Sequence, residues 1–94
     1  MLKYGLEDRG TARCLKGLAD LYCKQGEYKK AEPLYQQALS VWKEFIGWEH
    51  LESAEVLEGY ADLLRKMRRK REAASLEAEA KAVRDKVASQ EESH

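Results

Sequence analysis

The sequence predicts an all-α chain of two tandem pairs of antiparallel helices, and three observations carry that expectation. Charged residues make up 36% of the 94 residues and there is one proline, a composition that favours helix over sheet. Apolar side chains recur at helical spacing: Leu15, Leu18, Ala19 and Tyr22 share one face, and Leu57, Tyr60, Ala61 and Leu64 repeat it. The chain also repeats itself. A shift of 42 positions brings Gly17-Leu18-Ala19-Asp20-Leu21 onto Gly59-Tyr60-Ala61-Asp62-Leu63. It also matches Ala12, Leu15, Lys24, Ala31, Leu34, Ala38 and Val41 identically to Ala54, Leu57, Lys66, Ala73, Leu76, Ala80 and Val83. A period of that length is the mark of a helical repeat array.

The elements follow in order, near residues 11–25, 28–46, 52–67 and 70–88. Gly26 ends the first helix, because glycine enters the left-handed conformation of a helix C-terminus without a Cβ penalty. The second helix places Ala31, Leu34, Tyr35, Ala38, Leu39 and Trp42 on its apolar face. Pro33 lies near its start and is expected to cause at most a small kink. Gly47-Trp48-Glu49-His50 links the pairs. The last helix carries a narrow stripe of Leu76, Ala80, Val83 and Val87 among Glu, Lys, Arg and Ala, as expected of a terminal repeat whose outer side meets water. The organisation predicted is a first repeat at 11–50, a second at 51–88 and a frayed tail at 89–94. Gly5 and Glu7 fall on Gly47 and Glu49, so residues 1–10 read as the tail of a preceding repeat, and the chain as a fragment or a truncated array.

Acidic and basic residues balance at 17 each. That argues against a general nucleic-acid or membrane-surface role, which needs a basic excess. Cys14 and Cys23 lie nine residues apart on one predicted helix, on opposite faces at about 100° per residue, so they do not pair with each other. With no ladder of paired cysteines, no secretory leader and no apolar stretch of spanning length, the expectation is a reducing, cytoplasmic location. A chain of this size buries a modest core. Fewer than three stacked repeats rarely suffice alone, so self-association is expected through an apolar N-terminal face offering Leu2, Tyr4, Leu6 or the side of Tyr22.

Catalytic chemistry has little raw material. Of the two histidines, His94 is terminal and His50 sits in the link beside Glu49 and Glu52, where no converging pocket is expected. The cysteines cannot join His50 on one face as metal ligands. No phosphate loop or nucleophile motif is present. The reading is therefore no enzyme, no cofactor and no metal. The run Arg65-Lys66-Met67-Arg68-Arg69-Lys70-Arg71 has two readings: a nucleic-acid patch, or a turn whose cations favour the negative end of the preceding helix dipole. Trp48 is either an exposed anchor or a cover over the helix ends. Gly17 and Gly59 sit inside helices, where Gly costs about 1 kcal/mol relative to Ala. They mark either a close helix approach or an open groove floor.

The run Leu18-Ala19-x-x-Tyr22, then Gly26-x-Tyr28-x-x-Ala31-x-x-x-Tyr35-x-x-Ala38-Leu39, resembles the tetratricopeptide repeat. More closely, Gln25-Gly26-Glu27-Tyr28-Lys29-Lys30-Ala31-Glu32-Pro33-Leu34-Tyr35, with Gly47-x-x-His50, is similar to the longer repeat of kinesin light chains. In the second repeat Arg68, Lys70 and Glu77 stand where Gly26, Tyr28 and Tyr35 stood, and that repeat reads as degenerate. The resemblance implies a right-handed α-solenoid that binds a protein or peptide segment in a groove lined by the first helix of each repeat. Where light chains carry an Asn pair stand Lys16-Gly17 and Glu58-Gly59. Where the chaperone-tail clamp of other members wants Asn stands Asp20, whose charge would repel a C-terminal carboxylate. With the apolar face set inward, Arg13, Lys16, Asp20 and Lys24 form the groove stripe of the first repeat, and Glu55, Glu58, Asp62 and Lys66 that of the second. Parallel stacking would bring Arg13 near Glu55 and Lys16 near Glu58, either as ion pairs fixing the stack or as a bipolar groove for a partner of alternating charge.

Overall fold

In the computed structural model, residues 9–46 and 50–92 are described. The elements are α1 (Arg9–Lys24), α2 (Tyr28–Val41) continued by a π-helical segment (Trp42–Ile46), α3 (Leu51–Lys66) and α4 (Lys70–Glu92). No strand occurs among the described residues. The chain divides into two units at Gly47/Trp48; α1 packs on α2 in the first, and α3 on α4 in the second. Leu2, Tyr4, Gly5, Leu6, Glu7, Trp48, Glu49 and His94 lie outside the described residues.

Each unit closes around small residues at a common phase. Ala12, Ala19, Ala31 and Ala38 are fully buried in the first, and Ala54, Ala61, Ala73 and Ala80 are buried in the second. Larger side chains fill in around them: Tyr35, Val41 and Trp42 on one side of the division, Leu57, Leu64 and Val83 on the other. Fully burying a side chain such as Leu57 or Leu64 contributes about 1.5–3 kcal/mol. Pro33 lies within α2, five residues past its start, and the helix continues through it.

The helix bounds differ from the expected ones by a residue or two at most ends, which is the usual latitude of helix termini. The exception is α4. The residues read as a frayed tail from Ser89 onward are helical through Glu92, because 89–92 hold no glycine or proline and consist of residues that tolerate helix well. A second correction concerns Leu18. It was expected to point inward with Leu15, Ala19 and Tyr22, yet it is exposed, while Leu15 and Tyr22 are half-buried. The α1 seam centres on Ala12 and Ala19, and Leu18 falls about 100° off Ala19, on the flank.

The turns joining each pair share one geometry. Gly26 has φ 80°, its N–H bonds the Cys23 carbonyl at 3.0 Å, and Glu27 N–H bonds the Tyr22 carbonyl at 2.9 Å. In the second unit Arg68 has φ 64°, its N–H bonds the Arg65 carbonyl at 3.0 Å, and Arg69 N–H bonds the Leu64 carbonyl at 2.8 Å. Both are Schellman caps, with the left-handed residue at the same repeat position. The substitution of Gly by Arg at that position left the turn in place at a cost in backbone strain, since a non-glycine left-handed residue is unfavourable by roughly 1–2 kcal/mol. Arg68→Gly is therefore expected to stabilise the chain by about 1 kcal/mol, read as a higher denaturant midpoint with an unchanged m-value.

Candidate functional site

In the first unit the predicted stripe is partly committed to holding α1 on α2. Lys16 Nζ donates to Asp20 Oδ2 at 2.8 Å. The hydroxyl of Tyr35, on α2, donates to the other oxygen of Asp20, and Cys23 Sγ lies 3.9 Å from the same hydroxyl. Tyr35 is buried. Burial first, then the Asp20 carboxylate, push its phenol far above the ordinary range, so it remains a neutral donor. Arg13 and Lys24 are exposed at the edges of this cluster.

The second unit builds the same place from charges. At the repeat positions of Cys23 and Tyr35 stand Arg65 and Glu77, and these two form an ion pair between α3 and α4, with Asp62 also 3.4 Å from Arg65. At the positions of Lys16 and Trp42 stand Glu58 and Arg84, which pair through two hydrogen bonds of 2.7 and 2.8 Å. Glu77, read from sequence as decay of an aromatic, is thus one half of a replacement whose other half is Arg65. The signal was present in the sequence as a paired exchange of Cys-with-Tyr for Arg-with-Glu. Glu55 and Lys66 are exposed, as are Glu58 and Asp62.

Two of the six cations of the basic turn, Arg65 and Arg69, are engaged with carboxylates of their own unit, while Lys66, Arg68, Lys70 and Arg71 are exposed. Arg65 is engaged as above, and Arg69 grips Glu72 through two nitrogens, Nη2 lying 3.0 Å from Oε2, which holds the Glu72 carboxyl below its usual range. His50 precedes α3 as its cap residue, and its carbonyl accepts from the Ser53 hydroxyl at 2.8 Å. Neither Cys14 nor Cys23 forms a disulfide. Among the described residues no cluster of three or more His, Cys, Asp or Glu is placed to hold a metal ion, and no helix is long and apolar enough to cross a membrane. A 410 Å³ pocket opens within the first unit, lined by Thr11, Leu15, Pro33, Gln36, Gln37, Ser40 and Val41. Among the described residues, a Cβ built at Gly17 meets no atom within 4 Å, so their packing does not require a glycine there.

Tandem antiparallel helix pairs with a recurrent cap and a recurrent alanine seam define a helical-repeat protein. A family model for the tetratricopeptide repeat matches residues 10–86, and the chain belongs to that family. No match among curated proteins accompanies it. The repeats of this family are generally protein–protein interaction modules.

Two outcomes test the site's construction. Arg65→Cys and Glu77→Tyr are each expected to destabilise the second unit by up to about 1 kcal/mol. Together they should recover most of the loss by reproducing the first unit's arrangement, a coupling visible in a double-mutant cycle. The Arg84 hydrogen bonds hold the Glu58 carboxyl below its usual range. The pair therefore stabilises above the ordinary carboxylate pKa, and that contribution disappears as pH falls through the folded value. With both side chains over two-fifths exposed, the stability gap between the unsubstituted chain and Arg84→Gln should stay under about 1 kcal/mol at neutral pH. Acid melts should show the gap closing below about pH 4.

Proposed function

We propose that the chain is a protein-binding scaffold that receives a partner segment along the polar stripes of its first helices, α1 and α3. The observation that supports this most is the division of labour along the stripes. Lys16, Asp20 and Glu58 are tied to neighbours in their own units, whereas Lys24, Glu55 and Lys66 stand exposed. Arg13 is exposed as well, and Asp62, also exposed, lies 3.4 Å from Arg65. A surface carrying both signs suits a partner of mixed charge, and exposed charges act more on encounter and specificity than on raw affinity. The reading includes a reducing compartment, supported by two cysteines outside any disulfide. Nothing in the bonding of the basic turn favours a nucleic-acid adaptor over this reading.

The experiment is selection of binders from a random peptide display library, followed by charge reversal. Lys24→Glu and Lys66→Glu, singly and together, are expected to weaken the selected peptides at least about tenfold, which is about 1.4 kcal/mol, with only a small fall in melting temperature, because each lies in the last turn of its helix, where the dipole disfavours an acid by about 0.3–1 kcal/mol. Lys16→Glu and Glu58→Lys should lower the melting temperature as well, because each leaves a like-charge contact with Asp20 or Arg84. Binding that is unaffected by Lys24→Glu with Lys66→Glu moves the binding surface off the first-helix stripes.

A further inference from the structure

The first helices of the two repeats are alike in sequence and unlike in exposure. In α3, Ser53, Val56, Leu57, Tyr60 and Leu63 are all buried, Val56 at 1%, Tyr60 at 7% and Leu63 at 0% exposure. One period earlier, their counterparts in α1 are Thr11, Cys14, Leu15, Leu18 and Leu21, and none is buried. Leu18 is 42% and Leu21 49% exposed, and Cys14 is exposed. The bare face continues into the 410 Å³ pocket, since Thr11 and Leu15 border both. Gly17 adds an open notch beside Leu18 and Leu21. Nothing among the described residues requires a glycine at this position, and a glycine does let a second helix approach closely.

We propose that this α1 face, with the adjoining α1/α2 pocket, is a homodimer interface in which a second copy of the chain docks through the same face about a two-fold axis. The choice of occupant follows from what a second copy can offer. Among the described residues, the large apolar side chains left exposed are Leu18, Leu21 and Leu51, so two of the three lie on the α1 face itself. Among the described residues, the exposed apolar positions of α4 are small, Ala74, Ala78, Ala82 and Ala88, between charges such as Lys81 and Asp85, with Leu76 and Val87 half-buried. A head-to-tail contact would set leucines against that polar helix, whereas a self-complementary contact sets leucine against leucine, with Leu18 or Leu21 free to fill the partner's pocket. Closed two-fold contacts of this kind use one patch twice. The chain's zero net charge adds no long-range repulsion between copies.

The area limits the strength. A helix of 16 residues is about 24 Å long, and with its neighbour some 8–10 Å away the face spans roughly 500 Å². That is below the ~800 Å² per partner of standard interfaces, so a weak, concentration-dependent dimer is expected.

Sedimentation equilibrium of the full chain tests the assignment. The unsubstituted chain is expected to rise from its monomer mass of 10.8 kDa toward twice that value as its concentration reaches about 100 μM, a concentration suited to a weak dimer. Leu18→Glu with Leu21→Glu should stay monomeric, and Leu51→Glu should associate as the unsubstituted chain does. Cys14 lies on the proposed interface and Cys23 on the opposite side of α1, so alkylation of Cys14 should slow with rising concentration while that of Cys23 does not. If the double variant loses its helical circular dichroism, Leu21→Gln takes its place, and the Cys14 protection stands without any variant. A folded chain that stays monomeric, association that survives Leu18→Glu with Leu21→Glu, or Cys14 alkylation independent of concentration would each overturn the proposal.

Discussion

Every repeat depends on how closely its two helices approach. Alanines at matching positions set that distance: Ala12 and Ala19 against Ala31 and Ala38 in one unit, Ala54 and Ala61 against Ala73 and Ala80 in the other. A methyl group fills the seam without forcing the axes apart, and a larger side chain there would overpack it. Once the seam is fixed, the remaining positions are free to vary provided each still meets its opposite number across the helices. That is why an aromatic can become a carboxylate at position 77 without loss of the fold. The energetic weight sits in the apolar seam and the side chains flanking it, and the polar pairs at its edge set register and specificity.

The two units solve the edge of that seam with different chemistry. In the first, a buried phenol donates to a carboxylate that a lysine also neutralises. The group is held by one hydrogen bond to a charged acceptor and is shielded from titration across the physiological range. In the second, paired ions at the surface do the same geometric work. Surface pairs are individually weak and screened by salt, so the second unit depends more on its buried leucines and valines than on these contacts. The exchange also makes the outer side of α4 polar where the matching position of the first unit holds the buried Trp42. The same design decision shows in the turn, where Arg68 keeps the left-handed geometry that Gly26 adopts without strain. The backbone cap is therefore dictated by the closing of the pair and not by its residue.

Much of the architecture was legible from the chain alone. A period of 42 residues, helical spacing within it and a glycine at the break determined the number, order and approximate bounds of the helices, because amphipathic phase and cap chemistry are local properties of sequence. The coupling of Arg65 to Glu77 was written there too, as a paired exchange between repeats, but a single column read alone made Glu77 look like decay. What only the tertiary structure decided was which of several apolar positions on α1 is covered. Leu15, Leu18, Ala19 and Leu21 lie within one broad apolar arc, and sequence cannot say where in that arc the partner helix will rest. Packing rests it on the alanines, leaving Leu18 and Leu21 in water and drawing Lys16 and Asp20 into the seam. The physical reason is that burial is a property of two surfaces meeting. A sequence specifies the apolar face of one helix, and the area it loses to solvent is fixed only when the other helix is in place.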